Sequence, residues 1–225
     1  MFVGSAFDKT LDFNYRSKKR EGKDLPVSVL TDYAEAYINE QSGEIIFDDE
    51  GSKGEQIDTA KSSCHKGIIL FNREVFPSVE PSHVQAHLSD DSLEIPFHGY
   101  IDTIDTSNVV IDNKTAWKRW GNIESRWQNT SYAYLANKNG INSKSTRYDI
   151  ALLKKRGDPE VIQIEEPVTA AHLGFVEKKI NWAISFIKAG ISNPEIFAYN
   201  TNSFLCKKTM CEFYTTCMGE LGVKP

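Results

Sequence analysis

Residues 99 to 116 read GYIDTIDTSNVVIDNKTA. Strand-forming residues run from Leu93 to Ile104 and again from Asn108 to Thr115, with a polar turn at Asp105 to Asn108 between them, so the stretch reads as two antiparallel strands. Asp102 falls near the end of the first run and Asp112 on the second, where the turn can bring both carboxylates within reach of one cation. Asp112 and Lys114 project from one face of their strand, because side chains alternate with period two. By spacing alone they are either a surface ion pair or a metal site with its lysine.

Working outward, the chain is helical, then a sheet, then helical again. Phe7, Leu11 and Tyr15 recur at helical spacing between Gly4 and Arg20, as do Leu30, Tyr33, Ala34 and Tyr37 between Pro26 and Gln41. A glycine-bearing polar loop, SGEIIFDDEGSKGE, precedes a third helix with Ile57, Ala60, Cys64, Ile68 and Phe71 on one face. Val79 to Leu88 opens the sheet. After the 99–116 stretch come a helix from about Trp120 to Asn137, strands near Ser145 to Lys154 and Val161 to Glu165, and a long helix from Pro167 to Lys188. Pro167 suits a first helical turn and Gly190 an end.

The 225 residues are 40% hydrophobic and 25% charged, which suits one well-cored domain with elaborations. No stretch reaches the roughly 18 to 20 continuous apolar residues of a membrane span, and no basic-then-apolar leader opens the chain, so a cytoplasmic protein is expected. A formal charge of −5 argues against blanket attraction to nucleic acid and leaves room for a local basic channel. Asn113-Lys-Thr and Asn129-Thr-Ser match the glycosylation pattern but are not expected to be used without a secretory route.

A Gly-Tyr-Ile-Asp run, nine residues, then Asp112-Asn-Lys-Thr, followed by a helix carrying WQNTSYAYL, resembles the PD-(D/E)XK nuclease superfamily and, within it, the RecB-like exonucleases of phages and CRISPR adaptation modules. The resemblance implies an α/β fold: a restriction-endonuclease-like core with a mixed central β-sheet flanked by helices, and helical N-terminal and C-terminal elaborations. Residues 1–225 would form one nuclease domain, with a helical part at 1–75, the catalytic sheet at 76–166, and a C-terminal helix and cysteine segment at 167–225. It implies a metal-dependent DNA exonuclease of phage or bacterial recombination and repair, in a bacterial cell or phage-infected host. Asp102, Asp112 and Lys114 would be catalytic, and Asp102, Asp112 and the Asn113 carbonyl would hold Mg²⁺ or Mn²⁺. Hard divalent cations of this kind prefer oxygen ligands and leave positions open for water and phosphate.

Gln128 and Tyr132 match the Gln-x-x-x-Tyr motif of this branch, and at i and i+4 they share a helix face that can reach a DNA strand. In the family's first helix a histidine adds a metal ligand, and here that position is Asp8. Glu80 is a further candidate beside the site. Many RecB-like nucleases carry a C-terminal cysteine triplet that joins one more cysteine around a [4Fe-4S] cluster, and Cys206, Cys211 and Cys217 resemble that triplet. The fourth ligand would be Cys64, which lies on the apolar stripe of the third helix. A cluster, a zinc ion and plain reduced thiols all remain open for these four. DNA is the expected partner, as single strands or processed duplex ends, with a homo-oligomer or a recombination or adaptation protein also possible. The competing class is a non-catalytic nucleic-acid-binding or assembly protein on the same fold.

Overall fold

A computed structural model of the chain describes residues 2–43, 52–119, 126–154, 157–193, 206, 211 and 213–220. Helices α1 (Phe2–Glu21), α2 (Val27–Gln41) and α3 (Lys53–Glu74) come first. Phe7, Leu11 and Tyr15 of α1 pack with Leu30, Ala34 and Ile38 of α2 and with Cys64, Ile68 and Phe71 of α3; of the stripe expected on α2, Tyr33 is exposed and Ile38 completes the buried face instead. Asn14 ties the α1–α2 connection, its Nδ2 donating to Asp24 and its Oδ1 accepting from the Leu25 amide, both at 2.9 Å. Ser52 starts α3 with a reciprocal capping box to Glu55.

A single 3₁₀ turn, Phe76–Ser78, leads into strands β1 (Pro81–Asp90), β2 (Phe97–Asp105) and β3 (Val110–Ala116); helix α4 (Arg126–Lys138) follows, then β4 (Ser145–Leu152) and β5 (Glu160–Pro167). The five strands lie in the sheet in chain order. β1–β2, β2–β3 and β4–β5 are antiparallel, while β3 and β4 run parallel because α4 carries the chain back across the sheet. The turn between β2 and β3 is built by Asp105, whose Oδ1 accepts from the amides of Ser107 (2.9 Å) and Val109 (2.8 Å).

β1 and β2 pair along nearly all of β1, with a register shift between Pro81 (opposite Asp105) and His83 (opposite Ile104) and then one register to Asp90 opposite Phe97, whereas β2 and β3 pair only at Thr103–Ile111 and Ile104–Val110. Beyond those pairs the two strands separate. The sheet's two faces are covered differently. Ile111, Ala151 and Leu153 face the helical core of α1 to α3, while Val110, Ile101 and Ile104 pack with Ala136 and Tyr132 of α4.

Helix α5 (Ala170–Ser192) and the short α6 (Tyr214–Glu220) complete the described elements. The chain divides into two compact units, Met1–Lys179 and Ile180–Pro225. Within the second, Trp182 and Phe186 stack with ring centroids 5.7 Å apart. No helix among the described residues is long and apolar enough to cross a membrane.

Several boundaries differ from the sequence reading. Pro167 is the last residue of β5, opposite Ser145, and does not open α5. β5 is an edge strand, where the missing proline N–H costs no ladder bond, and Thr169 starts the helix instead, its Oγ1 accepting from the His172 amide at 3.3 Å. Gly190 lies inside α5, which ends at Ser192. β2 begins at Phe97, because residues 91–96 form the turn from β1. Trp120, expected to open α4, lies outside the described residues, and the helix described starts at Arg126. Both glycosylation matches fall on buried asparagines, Asn113 (7% exposed) and Asn129 (1%).

Candidate metal and DNA site

The splayed end of β2 and β3 gathers the charged residues. With no β2 partner in the ladder beyond Ile111, the Asn113 amide of β3 donates to Asp102 Oδ2 at 3.0 Å. The carboxylate therefore sits between the strands as they part. Asp112, at 1% exposure, is held by Lys114 from the same strand face: Nζ lies 2.9 Å from Oδ1 and 2.8 Å from Oδ2. Only the Oδ1 contact has hydrogen-bond geometry, so Oδ2 is buried without a directed donor.

The electrostatics show two acids pressed together. Burial, then repulsion from Asp112, push Asp102 up to about 6 from its ordinary 3.8. Burial also raises Asp112, against the opposing pull of Lys114. The charge of each carboxylate disfavours ionisation of the other, so the pair titrates together. Asp8 on α1 is pushed up to about 6 as well, first by burial and then by Asp102. Burial alone would lower Lys114, but the carboxylates of Asp112 and Asp102 outweigh it and hold the ammonium above the ordinary lysine value.

Fully ionised, Asp8, Asp102 and Asp112 against Lys114 leave an excess of two negative charges in a half-buried crevice. Among the described residues no three His, Cys, Asp or Glu side chains form a ready metal cage. Magnesium is usually held by one or two carboxylates with water and substrate phosphate in its remaining positions. Asp102 and Asp112, with an undirected buried Oδ2 and mutual repulsion to relieve, fit that kind of ion.

Helix α4 closes the crevice from one side. Gln128 Nε2 donates to Tyr132 Oη at 2.9 Å, so the i, i+4 pair expected from the sequence is formed. Burial is the first cause that raises the Tyr132 phenol, followed by its hydrogen bond to Gln128, which opposes, and then by Asp112 and Asp102, whose charges place the ring beside the acids. The close approach of α4 depends on Gly99. A Cβ there would meet Leu135 Cδ1 at 2.7 Å and the Tyr132 ring at 3.2 Å.

Gln85 is a site residue that the sequence reading missed. It has a left-handed backbone (φ 48°) in the middle of β1, and its Nε2 lies 3.4 Å from Asp102 Oδ1. A non-glycine residue in that region is strained and tends to be kept where position matters; nothing in Ser-His-Val-Gln signals it. Glu80 does not join the site. It precedes β1, its side chain is 62% exposed, and it pairs with Lys18 Nζ at 3.5 Å.

The four cysteines are divided between the two units. Cys64 is buried in the apolar core of α1 to α3, where burial pushes its thiol up to about 12. That setting suits packing, since metal ligation needs the thiolate. Cys206, Cys211 and Cys217 belong to the second unit and are half-buried.

No family model matches the chain, and no curated protein matches it either. Among solved structures it is similar to a crystal structure from Eubacterium rectale bearing the name "Putative exonuclease", with a TM-score of 0.50 and 14% identity over 86% of this chain and 75% of that one. At that identity the likeness speaks for the fold. The chain has a restriction-endonuclease-like α/β core: a mixed five-stranded sheet between helices, with further helices at both ends.

Proposed function

We infer that the protein is a metal-dependent DNA nuclease, an exonuclease of the RecB-like kind, acting on phosphodiesters at the crevice between β2 and β3. The observation that carries this reading is the convergence of Asp102 and Asp112 at the point where the strands part, with Lys114 against Asp112. Asp102, Asp112 and the Asn113 carbonyl would hold Mg²⁺ or Mn²⁺, with Asp8 within electrostatic reach as a further oxygen donor. Such an ion, when bound, lowers the pKa of a coordinated water and offsets charge on a phosphoryl oxygen.

The chain's own groups do the rest. Lys114, kept protonated by its carboxylate neighbours, orients the attacking water and offsets the charge that grows on the phosphate. Gln85 fixes the Asp102 carboxylate from the β1 side, and the Asn113 amide fixes it from the β3 side. Tyr132, braced by Gln128, presents a hydroxyl to the DNA strand from α4. The name of the Eubacterium rectale structure agrees with the exonuclease reading.

The decisive experiment is digestion of single- and double-stranded DNA with Mg²⁺ or Mn²⁺. Asp112→Asn should abolish cleavage with the circular dichroism spectrum unchanged, because it removes one charge and almost no volume. Full activity in that variant would sink the assignment. A second reading, a non-catalytic DNA-binding protein on this fold, draws on the Lys114 ion pair, which satisfies part of Asp112 without a cation. It requires wild-type protein that binds DNA and cleaves none under either metal.

A further inference from the structure

The β1–β2 arm carries three aromatic side chains that neither the core nor the crevice uses. His87 lies directly opposite Tyr100, and His98 is two residues before Tyr100 on β2. Their rings stack in series, His87 lying 5.4 Å from His98 and 4.6 Å from Tyr100, with interplanar angles of 15° and 21°. All three are exposed, Tyr100 to 61%. Among the described residues these rings make no hydrogen bond and no ion pair. Exposed stacked rings bury little apolar surface, and each stacked pair contributes only about 0.5–1.5 kcal/mol to the fold.

Their placement is rigid and close to the acids. Gly99, between His98 and Tyr100, turns its own face to Tyr132 and Leu135 of α4, so the three rings occupy the opposite face of the arm. The tight Gly99–α4 contact and the long β1–β2 register fix the rings relative to the crevice. Tyr100 is two residues from Asp102 on β2, about 6.6 Å along the strand.

We propose that His98, His87 and Tyr100 form a stacking platform for unpaired nucleobases of a single DNA strand beside Asp102. The location beside a cleavage site rests on the nuclease reading; the stacking itself does not. Flat π-faces accept any base, and each stacked base contributes about 1–3 kcal/mol of affinity. A net charge of −5 gives no blanket attraction to phosphate, which raises the share of affinity that stacking contacts of this kind supply. A paired base keeps its faces against its neighbours in the duplex and has none to offer these rings.

The test measures binding without chemistry. Fluorescence anisotropy with a labelled oligothymidylate of about 12 nucleotides, in chelator, should show Tyr100→Ala and the double variant His87→Ala/His98→Ala binding at least about tenfold more weakly than wild type. Affinity for a blunt duplex of the same length should change less than twofold, and Tyr100→Trp should restore single-strand binding. Melting temperatures that fall by no more than a few degrees, about what the lost ring–ring contacts contribute, separate lost contacts from lost fold. Wild-type single-strand affinity in the double variant, equal losses on duplex and single strand, or no single-strand binding by the wild-type protein would each overturn the platform. Cleavage distinguishes the two claims. A wild-type protein that digests DNA while the platform variants bind normally refutes the platform alone. One that cleaves nothing yet loses single-strand binding in those variants refutes the nuclease reading and leaves the platform standing.

Discussion

Replacing Asp102 with asparagine should make the metal-free protein more stable at alkaline pH. In the folded chain this carboxyl is pushed from 3.8 to about 6 by burial and by Asp112, a rise of roughly two units at about 1.4 kcal/mol each. The ionised form thus costs the metal-free fold at most about 3 kcal/mol, and nearer half of that once solvent reaching the half-buried group is allowed for. The sign follows from the direction of the shift. A raised folded pKa favours the fold while the group is protonated, so the contribution is complete below pH 3.8 and disappears as pH climbs through about 6. Asparagine keeps an oxygen for the Asn113 amide and carries no charge, and its NH₂ then faces the Gln85 side-chain amide, which can turn its oxygen to accept. In chelator, Asp102→Asn should match wild type near pH 4 and exceed it at pH 8 by about 1.5–3 kcal/mol, about 3–10 °C in melting temperature for a chain of this size. Excess Mg²⁺ should raise the wild-type melting temperature at pH 8 and leave the variant unmoved, by mass action on a site only wild type retains. A variant less stable than wild type at pH 8 in chelator would refute the reasoning, because it would make Asp102 a structural partner instead of a charge awaiting a cation.

Gly99→Ala should cost about 1–3 kcal/mol in chemical denaturation, since a Cβ would press on buried Leu135 and on the Tyr132 ring; a neutral result would mean α4 yields freely. Tyr132→Phe removes the acceptor of Gln128 Nε2, and should lower kcat/KM on DNA by tenfold or more while costing stability only about 0.5–1.5 kcal/mol; normal turnover with a large stability loss would make the ring a packing residue. Cys64→Ser should cost about 1–3 kcal/mol by burying a hydroxyl among α1 to α3, and any iron in anaerobically purified protein should be unchanged in that variant. Iron lost on this change would refute the packing account of Cys64.

The sequence exposed whatever depends on periodicity and little that depends on strand geometry. Phe7, Leu11 and Tyr15 announced the buried face of α1 because a 3.6-residue repeat allows them no other common side. Asp112 and Lys114 announced their shared face by the two-residue repeat of a strand, and the polar run at Asp105 announced the turn that its carboxylate builds. Pro167 misled because a proline suits a helix's first turn and an edge strand's last residue equally well, and only the strand order shows that β5 is an edge. Gln85 was invisible: its backbone is left-handed in mid-strand, and glutamine carries no preference for that conformation. Glu80 looked like a companion acid in the strand that became β1, yet it precedes that strand and pairs with Lys18.

The early parting of β2 and β3 also hands the Asn113 amide from the backbone ladder to a titrating side chain. Most strand amides exchange with solvent only when their sheet opens, whereas this one is shielded by a carboxylate whose charge changes near pH 6. The Asn113 N–H therefore works as a gauge set into the crevice, with a chemical shift and an exchange rate that follow the charge on Asp102. A single amide resonance, followed through a pH or magnesium titration, would read the state of the crevice in a protein that need not turn over at all.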